Sequence, residues 1–390
     1  MTSSDLPKLR RQLKKWFANH RRDLPWRSTH DPYSIWVSEV MLQQTQVATV
    51  LEYYKRFLNR FPDVASLAAA DEQSVLALWA GLGYYRRARQ MHQAAKQVVA
   101  DHAGRFPETL DEIKALPGIG RYTAGAIASF AYDCPAPILE ANTIRLFSRL
   151  IGLREDPTTS KSQALLWEAA ESFLPPRSGA GTINQALMEL GSLICKPAQP
   201  NCNQCPLNSG CKAYADGLQA AIPIAKQKAK PQQRDHAALI VRQHQLYLVR
   251  QNDGLGWWQG LWDFPRIDVT ELSITTSKRQ ATISQAVEQA FEETLGLSCR
   301  IDSHAMTIKH SVTRYRITLE CYFATLSSDA FALAAAGKRN KHKVGRASRP
   351  ADKTRRELEN WYWMALGDDQ LPLTASAKKL VHWLNGNQEQ

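Results

Sequence analysis

Leu116-Pro117-Gly118-Ile119-Gly120-Arg121-Tyr122-Thr123-Ala124-Gly125-Ala126-Ile127 reads as a glycine turn feeding a helix. After Pro137-Ile138-Leu139, the run Glu140-Ala141-Asn142 places a carboxylate at the start of the next helix. Gly118 and Gly120 allow backbone conformations closed to other residues and let another chain approach closely. The helix beginning near Arg121 offers free N–H groups and the positive end of its dipole to an anion. Such a nest holds one phosphate without reading a base; a plain corner between two helices is the alternative. A phosphate nest followed closely by an acid points to an enzyme acting on a nucleic-acid backbone or base.

Helical periodicity surrounds this hairpin. Residues 5–20 form an amphipathic helix with Leu9, Leu13, Trp16 and Phe17 on one side. Arg22-Asp23-Leu24-Pro25-Trp26-Arg27 reads as a turn exposing an aromatic and a cation together. Asp31-Pro32 starts a second helix, with proline in its first turn. Its spacing puts Trp36, Glu39, Val40 and Gln43 on one face. A carboxylate on an apolar face is unusual, and burial would raise its pKa. The polar cluster Gln43-Gln44-Thr45-Gln46 follows it. Periodicity continues through 47–61, 75–80, 87–100, 110–115, 122–131, 143–151, 161–173 and 182–194, and strand signals are nearly absent over 1–215. This half is expected to be all-α. The loop Gly81-Leu82-Gly83-Tyr84-Tyr85-Arg86-Arg87 sets aromatic rings beside cations, as a duplex-contacting loop does; a helix C-cap with buried tyrosines is the alternative.

The stretch 222–235 reads as a basic, proline-interrupted linker between a domain at 1–221 and another at 236–390. Beyond it the texture becomes α+β: short apolar bursts at 237–242 and 245–250, aromatic Trp257, Trp258, Trp262 and Phe264, a helix over 284–295, an alternating strand over 315–324 and a closing helix over 375–384. Lys338 to Arg356 holds nine Lys or Arg against a single Asp. It reads as part of a disordered basic loop over 337–356.

The chain has 390 residues, 44% of them apolar, and a net charge of +12. That is enough for two packed domains, and the charge is compatible with nucleic acid. No apolar run is long enough to span a membrane. The N-terminus lacks the apolar centre of a signal peptide, which leads to the expectation of a cytoplasmic protein; association with the nucleoid and a monomeric state are expected separately. Of the seven cysteines, Cys195, Cys202, Cys205 and Cys211 form C-x6-C-x2-C-x5-C. Four thiolates so close in sequence indicate a metal site rather than a disulfide framework. Spacing alone leaves zinc and a [4Fe–4S] cluster both open. Cys134, Cys299 and Cys321 read as buried structural thiols.

With the hairpin, the following acid and the four-cysteine spacing in place, the chain resembles the helix-hairpin-helix base-excision glycosylases of the endonuclease III superfamily. The block Ser38-Glu39-Val40-Met41-Leu42-Gln43-Gln44-Thr45-Gln46-Val47, with Leu24-Pro25-Trp26-Arg27 and Gly81-Leu82-Gly83-Tyr84-Tyr85, is similar to the adenine DNA glycosylase (MutY) branch. The match covers residues 8–215 well. The C-terminal half is more loosely similar to that branch's Nudix-like, 8-oxoguanine-reading domain.

The resemblance implies excision of adenine from A:8-oxoguanine and A:G mispairs in double-stranded DNA, with a [4Fe–4S] cluster on Cys195, Cys202, Cys205 and Cys211. It implies that Glu39 protonates the adenine, that Glu140 stabilises an oxocarbenium-like sugar, that Asn142 orders that carboxylate, and that Tyr122 lies near the base pocket. Trp26 and Arg27 align with the adenine pocket. Gln44 and Tyr84 align with residues wedged around the opposite base, and Gln43, Gly118, Gly120 and Arg121 fall among the DNA contacts. The family usually carries Asp where this chain has Glu140, in Asp-Gly-Asn rather than Glu-Ala-Asn. Relatives with lyase activity carry Lys where Tyr122 stands, because a Schiff base needs an amine; this chain is therefore expected to release the base without cutting the strand. The family's Phe-Ser-His lesion-reading loop aligns with Val312-Thr313-Arg314. The helix Gln289-Ala290-Phe291-Glu292-Glu293 lacks the Arg-Glu pair of a Nudix hydrolase, so pyrophosphate hydrolysis is not expected. A bifunctional glycosylase/lyase and a non-catalytic lesion binder are the competing readings.

Overall fold

A computed structural model describes residues 5–224, 230–252, 257–272, 280–327, 360–368 and 371–387. The chain divides into two compact units, Met1–Ala70 with Arg86–Lys228, and Asp71–Tyr85 with Ala229–Gln390.

The first unit is helical: α1 (Leu6–His20), α2 (Pro32–Leu42), α3 (Val47–Arg60), α4 (Val64–Ala69), and, after α5 (Glu72–Trp79) of the second unit, α6 (Arg86–Asp101), α7 (Leu110–Ala115), α8 (Arg121–Tyr132), α9 (Ala141–Ile151), α10 (Ser160–Ser172), α11 (Ala180–Leu193) and α12 (Lys212–Ala215). Leu9, Leu13, Trp16 and Phe17 of α1 are buried, as their spacing requires. They join Phe147, Phe173 and Leu187 in one core. Asp31 caps α2 by accepting from the N–H groups of Tyr33 and Ser34, with Pro32 at the first position. The sequence pattern assigned α2 a single apolar face. Its buried residues instead run Tyr33, Ile35, Trp36, Val37, Ser38, Glu39, Val40 and Met41, so the helix is enclosed on all sides. It packs against α3 and α8. At Gly181 on α11 an added Cβ would lie 2.3 Å from the Ser129 carbonyl of α8, so these two helices meet backbone to backbone.

The second unit holds two sheets. One runs β5 (Arg266–Asp268), β1 (Gln232–Ile240), β7 (Tyr315–Leu326), β6 (Cys299–Val312), with β1 and β7 parallel. The other joins β2 (Arg242–Gln243), β3 (Leu246–Gln251) and β4 (Trp262–Asp263), with β8 (Trp361–Ala365) also on β3. Ala238 and Ile240 face a core with Phe264, Leu380 and Leu384, the last two from α14 (Ala375–Gly386). Ala237, Leu239 and Val241 face the opposite core with Val287 and Phe291 of α13 (Gln280–Leu295). Burial on both faces explains the unbroken apolar run of β1.

Two expectations change. Residues 232–235, read as linker, already belong to β1, where backbone pairing with β7 needs no apolar side chain. Ile222 at the other end is buried, and its carbonyl accepts from Arg149 Nε at 2.8 Å. Cys321 is buried as expected, whereas Cys134 and Cys299 are only half-buried. The basic loop over 337–356 lies outside the described residues.

Candidate active site

A pocket of about 630 Å³ opens in the first unit between the N-terminal turn, α2, the 116–122 hairpin and the start of α9. Glu39 forms part of its wall and is 4% exposed. The Tyr122 hydroxyl, from the first turn of α8, donates to Glu39 Oε2 at 2.6 Å. Burial pushes the Glu39 carboxyl up to about 7; the Tyr122 hydroxyl favours the carboxylate and limits the rise, neighbouring Glu140 adds to it, and Arg27 opposes it. Burial, then the adjacent Glu39 charge, raises the Tyr122 hydroxyl well above the ordinary tyrosine value.

Glu140 lines the same pocket as the N-cap of α9. Its Oε1 accepts from Thr143 N at 3.0 Å, and its Oε2 from Asn142 N at 2.9 Å and Asn142 Nδ2 at 3.2 Å. The longer side chain is thus folded back onto its own helix, the position an N-cap aspartate occupies with less reach. Burial raises its pKa, while these N–H donors oppose the rise. Asn142 Oδ1 accepts from Arg145 Nη2 at 2.9 Å, and Arg145 also donates to the carbonyls of Cys195 and Gly191. Asn142 is therefore held from both ends.

Trp26 and Arg27 were expected to be exposed together; both are turned inward. Trp26 is buried edge-on against Tyr54, with ring centroids 5.3 Å apart. Arg27 Nη2 donates to Glu189 Oε2 at 2.7 Å. Arg22 donates to the same carboxylate through its backbone N–H, Nε and Nη2. Burial works against ionisation of Glu189, yet the two arginines hold its carboxyl down at about 2. Glu189 and Arg22 line the pocket and were missed from sequence. The available signal was one acid inside the apolar run Leu187-Met188-Glu189-Leu190 of α11.

Of the residues expected to meet DNA, Gln43, Gln44, Gly118 and Gly120 line the pocket, whereas Arg121 and Tyr84 do not. Gly118 has φ +77, and an added Cβ would lie 2.7 Å from Gln90 Cβ, so glycine is required there. Gly120 has an ordinary φ of −89 and caps α8 without a side-chain partner; nothing lies within 4 Å of an added Cβ. The chain's own packing therefore does not require glycine at 120, and open space lies beside the first turn of α8. Arg121 is exposed but rests 3.8 Å above the Trp167 ring. Gln43 Nε2 donates to Thr123 Oγ1 at 3.4 Å. Gln44 is exposed with φ +57.

Tyr84, Thr313 and Arg314 belong to the second unit. Tyr84 is 49% exposed with φ +50, so the buried-tyrosine alternative fails for it, while Tyr85 is buried. Thr313 and Arg314 make the turn between β6 and β7, both exposed, with Thr313 at φ +51. Arg314 Nη2 donates to the Tyr315 hydroxyl at 3.0 Å. In the first unit, Cys195, Cys202, Cys205 and Cys211 ring one small cavity with Leu146, Arg149 and Tyr214. Among the described residues no three His, Cys, Asp or Glu side chains converge on a single metal ion.

Residues 37–172 match the HhH-GPD superfamily of base excision DNA repair proteins, and residues 236–383 match the NUDIX domain. Three curated relatives are each named adenine DNA glycosylase. The Rattus norvegicus protein is 40% identical over 278 residues, 67% of this chain and 52% of its own length. The Buchnera aphidicola subsp. Schizaphis graminum protein is 36% identical over 268 residues, 68% of this chain and 77% of its own. The Homo sapiens protein is 32% identical over 376 residues, 82% of this chain and 67% of its own. The chain thus spans about half the length of the rat relative, and more of the other two. No helix among the described residues is long and apolar enough to cross a membrane. A helical unit carrying the matched hairpin, a matched second unit and relatives aligned over two thirds or more of their length place this chain in the adenine DNA glycosylase (MutY) family of helix-hairpin-helix base-excision repair proteins.

Proposed function

We propose that this chain removes adenine mispaired with 8-oxoguanine or with guanine in double-stranded DNA by hydrolysing the N-glycosidic bond, and that it leaves the strand intact. The observation that carries the reading is the buried Glu39–Tyr122 pair in a pocket shared with Glu140. A base inside a duplex is out of reach, so the nucleotide must be extruded. A pocket of about 630 Å³ suits a purine nucleoside. With its carboxyl near 7, Glu39 retains a proton at neutral pH and can deliver it to the leaving base. As the bond breaks, its electron pair leaves with the protonated adenine and the sugar carbon becomes cationic. Glu140, oriented by Asn142 and the α9 N-terminus, supplies the negative charge for that cation. Water then adds to the carbon and yields a proton to the ionised Glu39.

Two features support a reaction without strand cutting. Tyr122 stands where lyase relatives carry lysine, and no lysine is among the residues lining the pocket. For the opposite base, the exposed Thr313–Arg314 turn offers a hydroxyl and a cation. Thr313→Ala with Arg314→Ala should narrow the preference for A:8-oxoguanine over A:G; an unchanged ratio removes this turn from lesion recognition.

The four-cysteine ring suits a [4Fe–4S] cluster. All four cysteines line one cavity, and four thiolates are a donor set that zinc also accepts, so the preference for the cluster comes from the family resemblance. Cys195, Cys202, Cys205 and Cys211 would hold it, and when bound it cross-links the 195–211 loop. Iron and sulfide analysis of purified protein distinguishes the two; stoichiometric zinc rejects the cluster.

A single-turnover assay on duplex with labelled adenine opposite 8-oxoguanine tests the whole reading. Strand breaks should appear only after alkali, and Glu39→Gln should bind the duplex without releasing base. Breaks without alkali would mean a lyase, and no release at all a lesion binder.

A further inference from the structure

We infer that Arg87 is a positioning residue for base extrusion, acting by fixing the backbone from which Gln44 projects; this rests on the pocket being the base-excision site proposed above. Arg87 lies in the first turn of α6, and its Nη1 donates to the carbonyls of Val40 at 2.6 Å, Met41 at 3.2 Å and Gln43 at 2.6 Å. These carbonyls close the C-terminal end of α2, where a helix has no partners of its own for its last oxygens and where a cation is favoured. The next residue, Gln44, takes a left-handed conformation, φ +57, that glycine ordinarily supplies after a helix. A non-glycine residue stays there only when its surroundings hold it, and the Gln43 carbonyl held by Arg87 is the adjoining peptide.

The same turn of α6 braces the hairpin. Gln90, three residues on, packs so closely on Gly118 that a methyl group there would collide with it. Trp36, Val40, Gln43, Arg87, Gln90 and Gly118 line one small cavity. The start of α6 is thus the shared support of the Gln44 loop and the Gly118 turn. Glu39 is secured separately, by Tyr122. Loss of Arg87 should therefore impair extrusion and spare the proton-transfer chemistry.

The test uses the full chain with Arg87→Ala and Arg87→Lys. Extrusion is followed by fluorescence of 2-aminopurine placed beside the target adenine in an A:G duplex. Single-turnover release is compared between that duplex and one with the adenine opposite an abasic site, where it is already unpaired. Arg87→Ala should lower release from A:G by about ten- to a hundredfold, the scale of lost charge-assisted hydrogen bonds. The fluorescence rise should shrink with it, and release opposite the abasic site should change much less. Arg87→Lys should recover part of the loss, and it carries the test if the alanine variant fails to fold. Equal losses on both duplexes, or normal extrusion in the variants, overturn the inference. A parent protein that releases no adenine from A:G defeats the functional reading and this inference together, whereas an active parent matched by Arg87→Ala defeats this inference alone.

Discussion

At Glu39 one cause, burial, acts on both chemistry and stability. The carboxyl is raised from an ordinary 4.5 to about 7. As the proposed proton donor it must be protonated, so single-turnover base release should fall as pH rises through about 7. The stability effect has the same sign. A carboxyl whose folded pKa lies above its unfolded one contributes stability that is complete below about 4.5 and lost as pH rises through about 7. Glu39→Gln should therefore be more stable than the parent at pH 8, by about 2–3 kcal/mol, with the difference closing toward pH 4.5. Urea midpoints at the two pH values check this; a constant difference would mean that Glu39 is not buried as an acid. Tyr122→Phe removes the donor that favours the carboxylate. Its alkaline limb should move upward by about one pH unit, the worth of one hydrogen bond. A limb that stays in place would show the hydroxyl pointing elsewhere in solution.

The elements bring the acids together through close helix contacts rather than through the hairpin alone. At Gly191 on α11 an added Cβ would lie 2.8 Å from Asn142 Cβ and 3.1 Å from the Asn142 carbonyl oxygen. Asn142 in turn holds Glu140. Gly191→Ala should cost about 1–3 kcal/mol by overpacking. It should also lower base release, because the start of α9 must move. Gly386→Ala, with nothing within 4 Å of the new methyl, is the control. Melting curves and single-turnover rates for both variants check the expectation, and an active, stable Gly191→Ala would show that α9 tolerates the displacement. The hairpin itself divides into two kinds of glycine. Gly118 is required by its own backbone and by Gln90, whereas Gly120 has open space beside it, where a phosphate backbone could approach.

Across the whole molecule, a net charge of +12 would give the proposed duplex binding a part that does not depend on sequence. Binding to undamaged duplex should weaken by about a thousandfold between 50 and 200 mM salt, if at least six phosphates are contacted. Titrations at several salt concentrations measure the slope, and a flat slope would mean that the basic residues lie away from the DNA. The two compact units also differ in how well their boundaries could be read. Segment 71–85 joins the second unit through contacts distant in sequence, such as Trp262 Nε1 donating to Gln73 Oε1 at 3.2 Å and Lys378 Nζ donating to the Ala80 carbonyl at 3.0 Å. No local composition marks that exchange.

The sequence by itself determined the helical class of the first half, the hairpin with an acid after it, and the close spacing of four cysteines. These depend on periodicity, glycine chemistry and spacing, which are local properties; that Glu39 and Glu140 share one site was implied only by the family resemblance. Only the tertiary structure decided that α2 is enclosed on every side, that Trp26 and Arg27 face inward, and that Glu189 closes the wall. Burial of a side chain depends on partners far along the chain, here α3, α8 and α11, and no window of sequence contains them. The hairpin that first suggested a phosphate nest shows the same division. Its glycines were legible as a turn, but the bond from Tyr122 to Glu39, 83 residues away, exists only because α8 packs on α2.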